Sequence, residues 1–254
     1  MTRRRWIADE VHGDTAALTG EHAFHLSRVL RAQVGQEFDI ATGNAVRHGR
    51  IATISDDRVE FALGEELVGK SSVHVTLVLA VFKFDRMEWA IEKCTELGVT
   101  RIIPLIARRT DSHLAVAAGK RQERWQRIAR QASEQARRAA APEISLPVKL
   151  KELGSVGVGP ASPASGDTTA AKIVLAESDA TTRLGDLLGS GSADRSSEVI
   201  LAIGPEGGWA EDELKWFQES GWAAASLGGT ILRAETAAIV AVALALDELQ
   251  SALR

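Results

Sequence analysis

Apolar residues are spaced differently in two parts of the chain. Up to about residue 70 they form short runs separated by turn clusters such as Thr42-Gly43-Asn44, a spacing that is typical of a small sheet or barrel. The pattern predicts a helix at 20–31 and strands at 37–41, 47–54 and 58–63. Phe24, Val29 and Leu30 are expected on the apolar side of the helix. Residues 1–70 are therefore predicted to form a small β-rich domain that ends in a polar, linker-like stretch at 65–72.

From residue 73 the pattern changes to apolar runs that alternate with amphipathic stretches. Strands are predicted at 73–82, 101–107, 172–176, 199–203 and 223–227, and helices at 85–97, at 120–140 and from residues 211 and 235 onward. This alternation is typical of a parallel α/β sheet with helices on both faces, so residues 73–254 are predicted to be a second domain. Segments 154–171 and 189–197 are rich in small and polar residues and are predicted to be solvated loops.

The composition argues against several classes of protein. No apolar run approaches the roughly 18 residues that a membrane span requires. Cys94 is the single cysteine, which excludes an internal disulfide framework and fits a reducing compartment, so we expect a cytoplasmic protein. Cys94 shares a predicted helix face with Met87, Ala90, Ile91 and Leu97, and we expect that face to be buried. The six histidines show no metal-ligand spacing, and no metal site is expected.

Basic residues are concentrated although the net charge of the chain is −4. Residues 120–138 contain seven Lys or Arg and two Glu at near-helical spacing. Such a face neutralises phosphates in nucleic-acid-binding proteins, but it is also typical of an ordinary solvated helix. Arginines beside Trp6 and in segment 20–31 favour contact with RNA, because guanidinium groups pair well with phosphate. The candidates for RNA contact are Arg3, Arg4, Arg5, Arg28, Arg31, Arg109, Arg124, Arg137 and Arg138.

Two glycine loops near the carboxyl end carry the most specific pattern. Gly204-Pro205-Glu206-Gly207-Gly208 follows the predicted strand 199–203, and Gly228-Gly229 follows 223–227. In an open parallel sheet, ligands bind where such loops leave the carboxyl ends of strands. The glycines are also compatible with tight turns alone. Neither the dinucleotide fingerprint nor the P-loop is present, so a small ligand held by backbone groups is expected.

These loops carry a family resemblance. The segments IGPEGG and SLGGTILRAETA, together with GEHAFHLSRVLR at 20–31, DRMEWAIEKCTELGV at 85–99 and EQARRAAAPEI at 134–144, resemble the bacterial 16S ribosomal RNA uracil-N3 methyltransferases. That family belongs to the knotted SPOUT superfamily. The resemblance implies an α/β fold with a C-terminal trefoil-knotted parallel-sheet methyltransferase domain and a small N-terminal β-rich, PUA-like RNA-binding domain. It also implies S-adenosylmethionine as cofactor, the small ribosomal subunit as partner, and a homodimer.

The resemblance also assigns roles to residues of the loops. Arg233 and Glu235 are predicted to do polar work near the transferred methyl group, although a buried ion pair that fixes the loop is equally compatible with them. Glu206 could instead lock the glycine loop, and no general base for uracil N3 is identified. The residues assigned to the cofactor are Leu175, Ala176, Glu177, Gly204, Pro205, Glu206, Gly207, Gly208, Leu227, Gly228, Ile231, Leu232, Arg233 and Thr236.

Two other functions are compatible with the sequence. The same fold could methylate transfer RNA or a ribose 2′-hydroxyl, and a protein with these basic clusters could bind RNA without catalysis. The main hypothesis is methylation of N3 of a uridine in 16S ribosomal RNA. Because N3 lies on the pairing edge of the base, the enzyme must act on an unpaired uridine or move the base out of its helix.

Overall fold

The computed structural model describes residues 5–43, 45–55, 57–68, 73–158, 170–176, 182–189 and 198–251. Predictions that concern Arg3, Arg4 and Glu177, and most of the two predicted loops, lie outside these residues. The chain divides into two compact units, Met1–Ser71 with Arg130–Ala141 and Ser72–Ala129 with Pro142–Arg254. They are described separately below.

The first unit contains a six-stranded mixed sheet. Its strands are β1 (Arg5–Ile7), β2 (Glu10–His12), β3 (Thr15–Thr19), β4 (Glu37–Ala41), β5 (Val46–Ile54) and β6 (Arg58–Val68), arranged in the order β1-β4-β5-β6-β3-β2. Only β1 and β4 pair in parallel, and the other neighbours are antiparallel. The prediction of β4, β5 and the start of β6 is confirmed. The first three strands were not predicted, and β6 continues through 65–68, which the sequence placed in the linker.

The two edge strands of this sheet are neighbours in sequence, so the sheet must be rolled to bring its edges together. β1 and β2 lie at opposite edges, yet only Ala8 and Asp9 separate them. The N–H of Ala8 donates to the carbonyl of Ala41 on one side, and the N–H of Asp9 donates to that of Ala17 on the other, both at 2.9 Å. The chain therefore joins both edges of the sheet within two residues. The inner face is apolar, and Leu18, Ile40 and Phe61 are fully buried there.

The predicted helix at 20–31 is present, but its apolar face was assigned wrongly. α1 (Gly20–Phe24) continues into a π-helical turn (His25–Val29), where the N–H of Leu30 donates to the carbonyl of His25, five residues back. Ala23 and Leu26, three residues apart, pack into the same core as Leu18 and Ile40 of the sheet. Ala23 and Leu26 are therefore buried, whereas Phe24, Val29 and Leu30 are exposed.

Segment 130–141 is held in the first unit by an arginine. Arg130 donates to Asp9 Oδ1 and to the carbonyl of Ile7, each at 2.7 Å. Burial alone would raise the pKa of the Asp9 carboxyl, but hydrogen bonds from His22 and from the N–H of Thr19, together with the charge of Arg130, hold that pKa below its ordinary value.

The second unit contains a seven-stranded sheet in which every pairing is parallel, as the sequence predicted. Its strands are β7 (His74–Ala80), β8 (Arg101–Ile106), β9 (Glu143–Ile144), β10 (Val148–Lys149), β11 (Ala171–Leu175), β12 (Glu198–Ile203) and β13 (Ala223–Ala225). The order is β10-β8-β7-β12-β11-β13, and β9 also pairs with β8. Its helices are α2 (Phe84–Leu97), α3 (Ser112–Ala118), α5 (Leu184–Gly189), α6 (Glu211–Glu219) and α7 (Ala234–Ser251), together with the part of α4 (Gln122–Gln135) that precedes Arg130. Short 3₁₀-helices lie at Gly119–Arg121 and Leu150–Val156.

Both faces of this sheet are covered, which explains the almost continuous apolar strands. In β12, Leu201 packs into the core that contains α2 and α7, and its neighbour Ala202 faces the core that contains Phe217 of α6. Cys94 is buried in the first of these cores, and burial raises the pKa of its thiol to about 12. The helix face that carries Cys94 was expected to be buried along its whole length. This prediction is wrong for Leu97, at the end of the helix, because Leu97 is exposed.

The predicted helix at 120–140 is shorter than expected. α4 ends at Gln135, and Arg137 takes a positive φ of 55°, which is incompatible with a continuing right-handed helix. The division into compact units falls within α4, after Ala129. None of the helices in the described ranges combines the length and apolar character of a membrane-crossing segment.

Candidate functional site

The carboxyl ends of five parallel strands open onto one cavity of about 690 Å³ in the second unit. Lys83, which follows β7, and Arg109, which follows β8, line one side of it. Leu175 and Ala176 at the end of β11, and the long loops after β12 and β13, line the rest. Carboxyl ends meet at the same edge because all these strands are parallel, and this edge is where open α/β sheets bind ligands.

The loop after β12 is a tight turn stacked on an indole ring. The N–H of Gly208 donates to the carbonyl of Pro205 at 2.8 Å, and Gly208 has a φ of 69° that favours glycine. A Cβ on Gly204 would lie 3.2 Å from ring atoms of Trp209, so this glycine allows the backbone to rest on the ring. Trp209 in turn donates its Nε1–H to the carbonyl of Leu175 at 2.9 Å. The indole therefore ties the glycine loop to the end of β11.

The loop after β13 forms the opposite wall. Gly228 has a φ of 129°, which is accessible essentially to glycine alone, and α7 begins six residues further on at Ala234. Leu227 and Leu232 line the cavity as the expected apolar walls, and Ile231 lines it although most of its side chain is exposed. Backbone groups and aliphatic side chains therefore form most of this wall.

The cavity also contains an arginine that the sequence did not assign to it. Arg86, in the first turn of α2, donates from Nη1 to Glu206 Oε1 at 2.6 Å, and its Nε lies 3.8 Å from Glu235 Oε1. Glu235 therefore pairs with Arg86. The alternative interpretation, a buried ion pair between Glu235 and Arg233, is wrong about the partner. A cation at a helix N-terminus is unfavourable because it opposes the helix dipole. Lys83 and Arg86 at the start of α2 could therefore have been recognised from the sequence as candidate functional residues.

The structure brings most of the predicted cofactor residues together. Those that line the cavity are Leu175, Ala176, Gly204, Pro205, Glu206, Gly207, Gly208, Leu227, Gly228, Ile231, Leu232 and Arg233. Thr236 is half-buried in α7 and does not line it, and Glu177 lies outside the described residues. Glu235 is buried behind the wall. Lining residues that the sequence did not predict include Lys83, Arg86, Trp209 and Leu214.

The residues predicted to contact RNA fall into different environments. In the first unit, Arg28, Arg31 and Arg137 are exposed, whereas Arg5 donates to the carbonyl of Arg137. Burial lowers the pKa of Arg138 to about 10.

In the second unit, Arg109 donates to the carbonyl of Gly207 at 2.8 Å at the cavity. Arg124 is engaged by Glu88 through two hydrogen bonds, at 2.6 and 2.8 Å. These two arginines are therefore already held by protein groups. Within the described part of the chain, no three His, Cys, Asp or Glu side chains are grouped in a way that suits a metal ion.

Comparison with known proteins gives a consistent result. Residues 69–246 match the family described as RNA methyltransferase domain. Ribosomal RNA small subunit methyltransferase E of Synechocystis sp. is 32% identical over 233 residues, which are 90% of this chain and 72% of that protein. The protein of the same name from Mycobacterium bovis is 32% identical over 242 residues, which are 91% and 85% of the two chains. The crystal structure of a ribosomal RNA small subunit methyltransferase E from Neisseria gonorrhoeae, bound to S-adenosyl methionine, is 27% identical, with a TM-score of 0.76 and 96% of both chains covered.

Proposed function

This chain belongs to the RNA methyltransferase domain family, and we propose that it methylates N3 of a uridine in the 16S ribosomal RNA of the small subunit, with S-adenosylmethionine as methyl donor. The observation that supports this most directly is the cavity between the two glycine loops. Its volume of about 690 Å³ suits a ligand of nucleoside size, because small-molecule sites typically measure about 300–1,000 Å³.

The residues present fit S-adenosylmethionine. The backbone groups of Gly204–Gly208 and of residues 227–232 would provide donors and acceptors for an adenine edge, and Leu227 and Leu232 would provide apolar contact for its faces. When bound, the donor supplies an electrophilic methyl group on a sulfonium. Bringing that group into line with the acceptor is the main task of the protein in such a displacement.

The acceptor places a second demand on the site. Uracil N3 carries a proton that must leave, and the ring becomes anionic as it does so. Cationic side chains at the cavity are suited to an anion and to the flanking phosphates, and the lining contains Lys83, Arg86, Arg109 and Arg233. We assign Arg233, which is exposed at the mouth, to the RNA side of the site.

The finer features of the architecture belong to the same proposal. The trefoil knot is proposed from the family resemblance, and the strand order, in which β13 follows β12 in sequence but pairs with β11 on the far side of it, is compatible with it. The rolled sheet of the first unit is compatible with a PUA-like RNA-binding domain at 1–70, joined to a SPOUT domain at 73–254. We further propose that the protein works as a homodimer in the cytoplasm, where a free cysteine such as Cys94 is stable.

The RNA surface is proposed to include the exposed arginines Arg28, Arg31 and Arg137. These residues are accessible, and guanidinium groups pair with phosphate through two parallel hydrogen bonds. The predicted contributions of Arg3 and Arg4 stay part of the proposal on sequence grounds alone. Arg124 is the weakest member of the set, because its guanidinium is already engaged by Glu88.

One experiment separates the proposed activity from its alternatives. Small subunits from a strain that lacks the protein are incubated with the purified protein and isotope-labelled S-adenosylmethionine, and the RNA is then digested to nucleosides and identified by mass. We expect label in 3-methyluridine from 16S ribosomal RNA. Label in a ribose 2′-O-methyl nucleoside or in transfer RNA would show a different acceptor. An absence of label, together with no calorimetric binding of S-adenosylhomocysteine, would contradict a methyltransferase.

A further inference from the structure

One arginine of the cavity is fixed from two sides. Arg86 lies in the first turn of α2, Glu206 lies on the glycine loop after β12, and Glu235 lies in the first turn of α7. The Arg86 guanidinium donates to Glu206 at 2.6 Å, and its Nε lies 3.8 Å from Glu235. Three separate elements of the same unit therefore determine the orientation of this guanidinium.

Glu235 contacts the cavity through Arg86. It is 5% exposed, it does not line the cavity, and its Oε2 has no hydrogen-bond partner among the residues that the structure describes. A buried carboxylate is unfavourable unless a cation compensates it, and Arg86 is the cation that the structure places beside it. Glu235 is therefore a positioning residue for Arg86.

Arg86 still has donors to offer to a ligand. Its side chain is 31% exposed and lines the cavity, and no described residue accepts a hydrogen bond from its Nη2. Among the other cations at the cavity, Lys83 and Arg233 are exposed, and the guanidinium of Arg109 is held by the carbonyl of Gly207. Arg86 thus presents a charged donor whose direction is set before a ligand arrives.

On the basis of the proposed function, we propose that Arg86 is a catalytic residue that donates a hydrogen bond to a carbonyl oxygen of the target uracil. Uracil N3 loses its proton to solvent, its electron pair forms the bond to the methyl carbon, and the electron pair of the broken carbon–sulfur bond stays on sulfur as the thioether of S-adenosylhomocysteine. The negative charge that precedes methyl transfer lies on N3 and on both carbonyl oxygens. A pre-positioned cation favours that charge without reorganisation.

The test is the pH dependence of single-turnover methylation with the full-length protein and small subunits that lack the modification. With Arg86→Gln we expect the rate at neutral pH to fall about 100-fold, as on removal of one oxyanion donor. The rate of this variant should continue to rise with pH beyond the point where that of the parent levels off, because N3 must then ionise without help. Arg86→Lys keeps the charge and should recover part of the rate.

Binding of S-adenosylhomocysteine, measured by calorimetry, provides the readout that is independent of turnover. Because Arg86 also holds Glu206 of the glycine loop, we expect its dissociation constant to rise by no more than about tenfold in Arg86→Gln, well short of the expected fall in rate, and to change less in Arg86→Lys. Arg101→Gln is the matched control. Arg101 is also paired with a carboxylate, that of Glu143, but it lies at the amino end of β8, away from the cavity, and its pH profile should be that of the parent.

The outcomes are distinguishable. A pH profile of Arg86→Gln that parallels that of the parent, or a loss confined to cofactor affinity with an unchanged saturated rate, would overturn the role of Arg86 while the proposed function stands. If Arg86→Gln does not fold, Arg86→Lys decides: a lower rate at neutral pH with unchanged cofactor affinity supports the role of Arg86, and a parent-like saturated rate with weaker cofactor binding overturns it. A parent protein that forms no 3-methyluridine would overturn both proposals.

The charged groups around Arg86 that also influence the profile are Glu206, Glu235, Lys83, Arg109 and Arg233.

Discussion

The indole N–H of Trp209 donates to the carbonyl oxygen of Leu175 at 2.9 Å and so connects the glycine loop after β12 to the end of β11. The face of the same indole supports Gly204. One side chain therefore sets the distance between two walls of the cavity. The shape of the ligand site depends on this contact as much as on the glycines themselves.

Replacement of Trp209 by Phe tests the contact. The change leaves the carbonyl of Leu175 without its donor, and we expect a loss of about 1 kcal/mol in the free energy of unfolding, as for a typical hydrogen bond. Affinity for S-adenosylhomocysteine should fall about tenfold, because the loop is no longer tied to β11. Urea unfolding and calorimetry measure the two effects.

Trp222→Phe is the matched control for that experiment. Both indoles are buried and lie edge-on to Phe217, with ring centroids 4.9 Å (Trp209) and 5.0 Å (Trp222) away. The Nε1 of Trp222, however, has no hydrogen-bond partner among the described residues. Its replacement should leave cofactor affinity unchanged, and equal losses of affinity in the two variants would refute a role for the hydrogen bond to Leu175.

Gly204→Ala tests the support of the loop by the indole. The new methyl group would lie 3.2 Å from Trp209 ring atoms, which is closer than ordinary packing allows, so the ring or the loop must move. We expect weaker binding of S-adenosylhomocysteine and a small loss of stability, measured by calorimetry and thermal unfolding. Gly185→Ala, on α5, is the control, since nothing lies within 4 Å of its added methyl and alanine favours a helix. Unaltered binding by Gly204→Ala would contradict the tight contact.

The sequence predicted the local parts of this site and missed the parts that depend on sheet register. The glycine loop 204–208 could be predicted because turn-forming residues and the strand before them are contiguous. Arg86 reaches the cavity only because β7 pairs in parallel with β12, with Leu79 opposite Ile203. No local pattern specifies which strands become neighbours. The exposed Phe24 was assigned to an apolar face for a related reason, since local spacing does not show which side of a helix packs against the sheet.

The first unit should lose stability in acid through Asp9. The pKa of this carboxyl is lower in the folded protein than its ordinary value of 3.8, so its contribution is complete above that pH and is lost as the pH falls through the folded pKa. Asp9→Asn should therefore destabilise the unit near pH 7 by about 2 kcal/mol, as for hydrogen bonds to a charged group, and by little once Asp9 is protonated. Hydrogen exchange of the Thr19 amide, which donates to Asp9, measures the effect.

Asp14→Asn is the control in the same unit. Asp14 also pairs with an arginine, Arg47, at 2.8 Å, but its side chain is 83% exposed, and exposed pairs contribute little to stability. Protection of the Thr19 amide should be the same in this variant as in the parent. A difference between Asp9→Asn and the parent that persisted unchanged to strongly acidic pH would argue against an ionised Asp9 in the folded unit.

Glu235→Gln tests whether this buried carboxylate acts only through Arg86. The change removes the charge that faces Arg86 Nε, and we expect single-turnover methylation to slow about tenfold while affinity for S-adenosylhomocysteine is retained. The decisive measurement is a double-mutant cycle. On an Arg86→Gln background, Glu235→Gln should have almost no further effect on the rate, because Arg86, through which it reaches the substrate, is already gone.

Glu213→Gln is the control, because Glu213 is equally buried but accepts from the N–H groups of Arg108 and Ala210. Its effect on the rate should be independent of Arg86, and the same independence for Glu235 would show that it acts by another route.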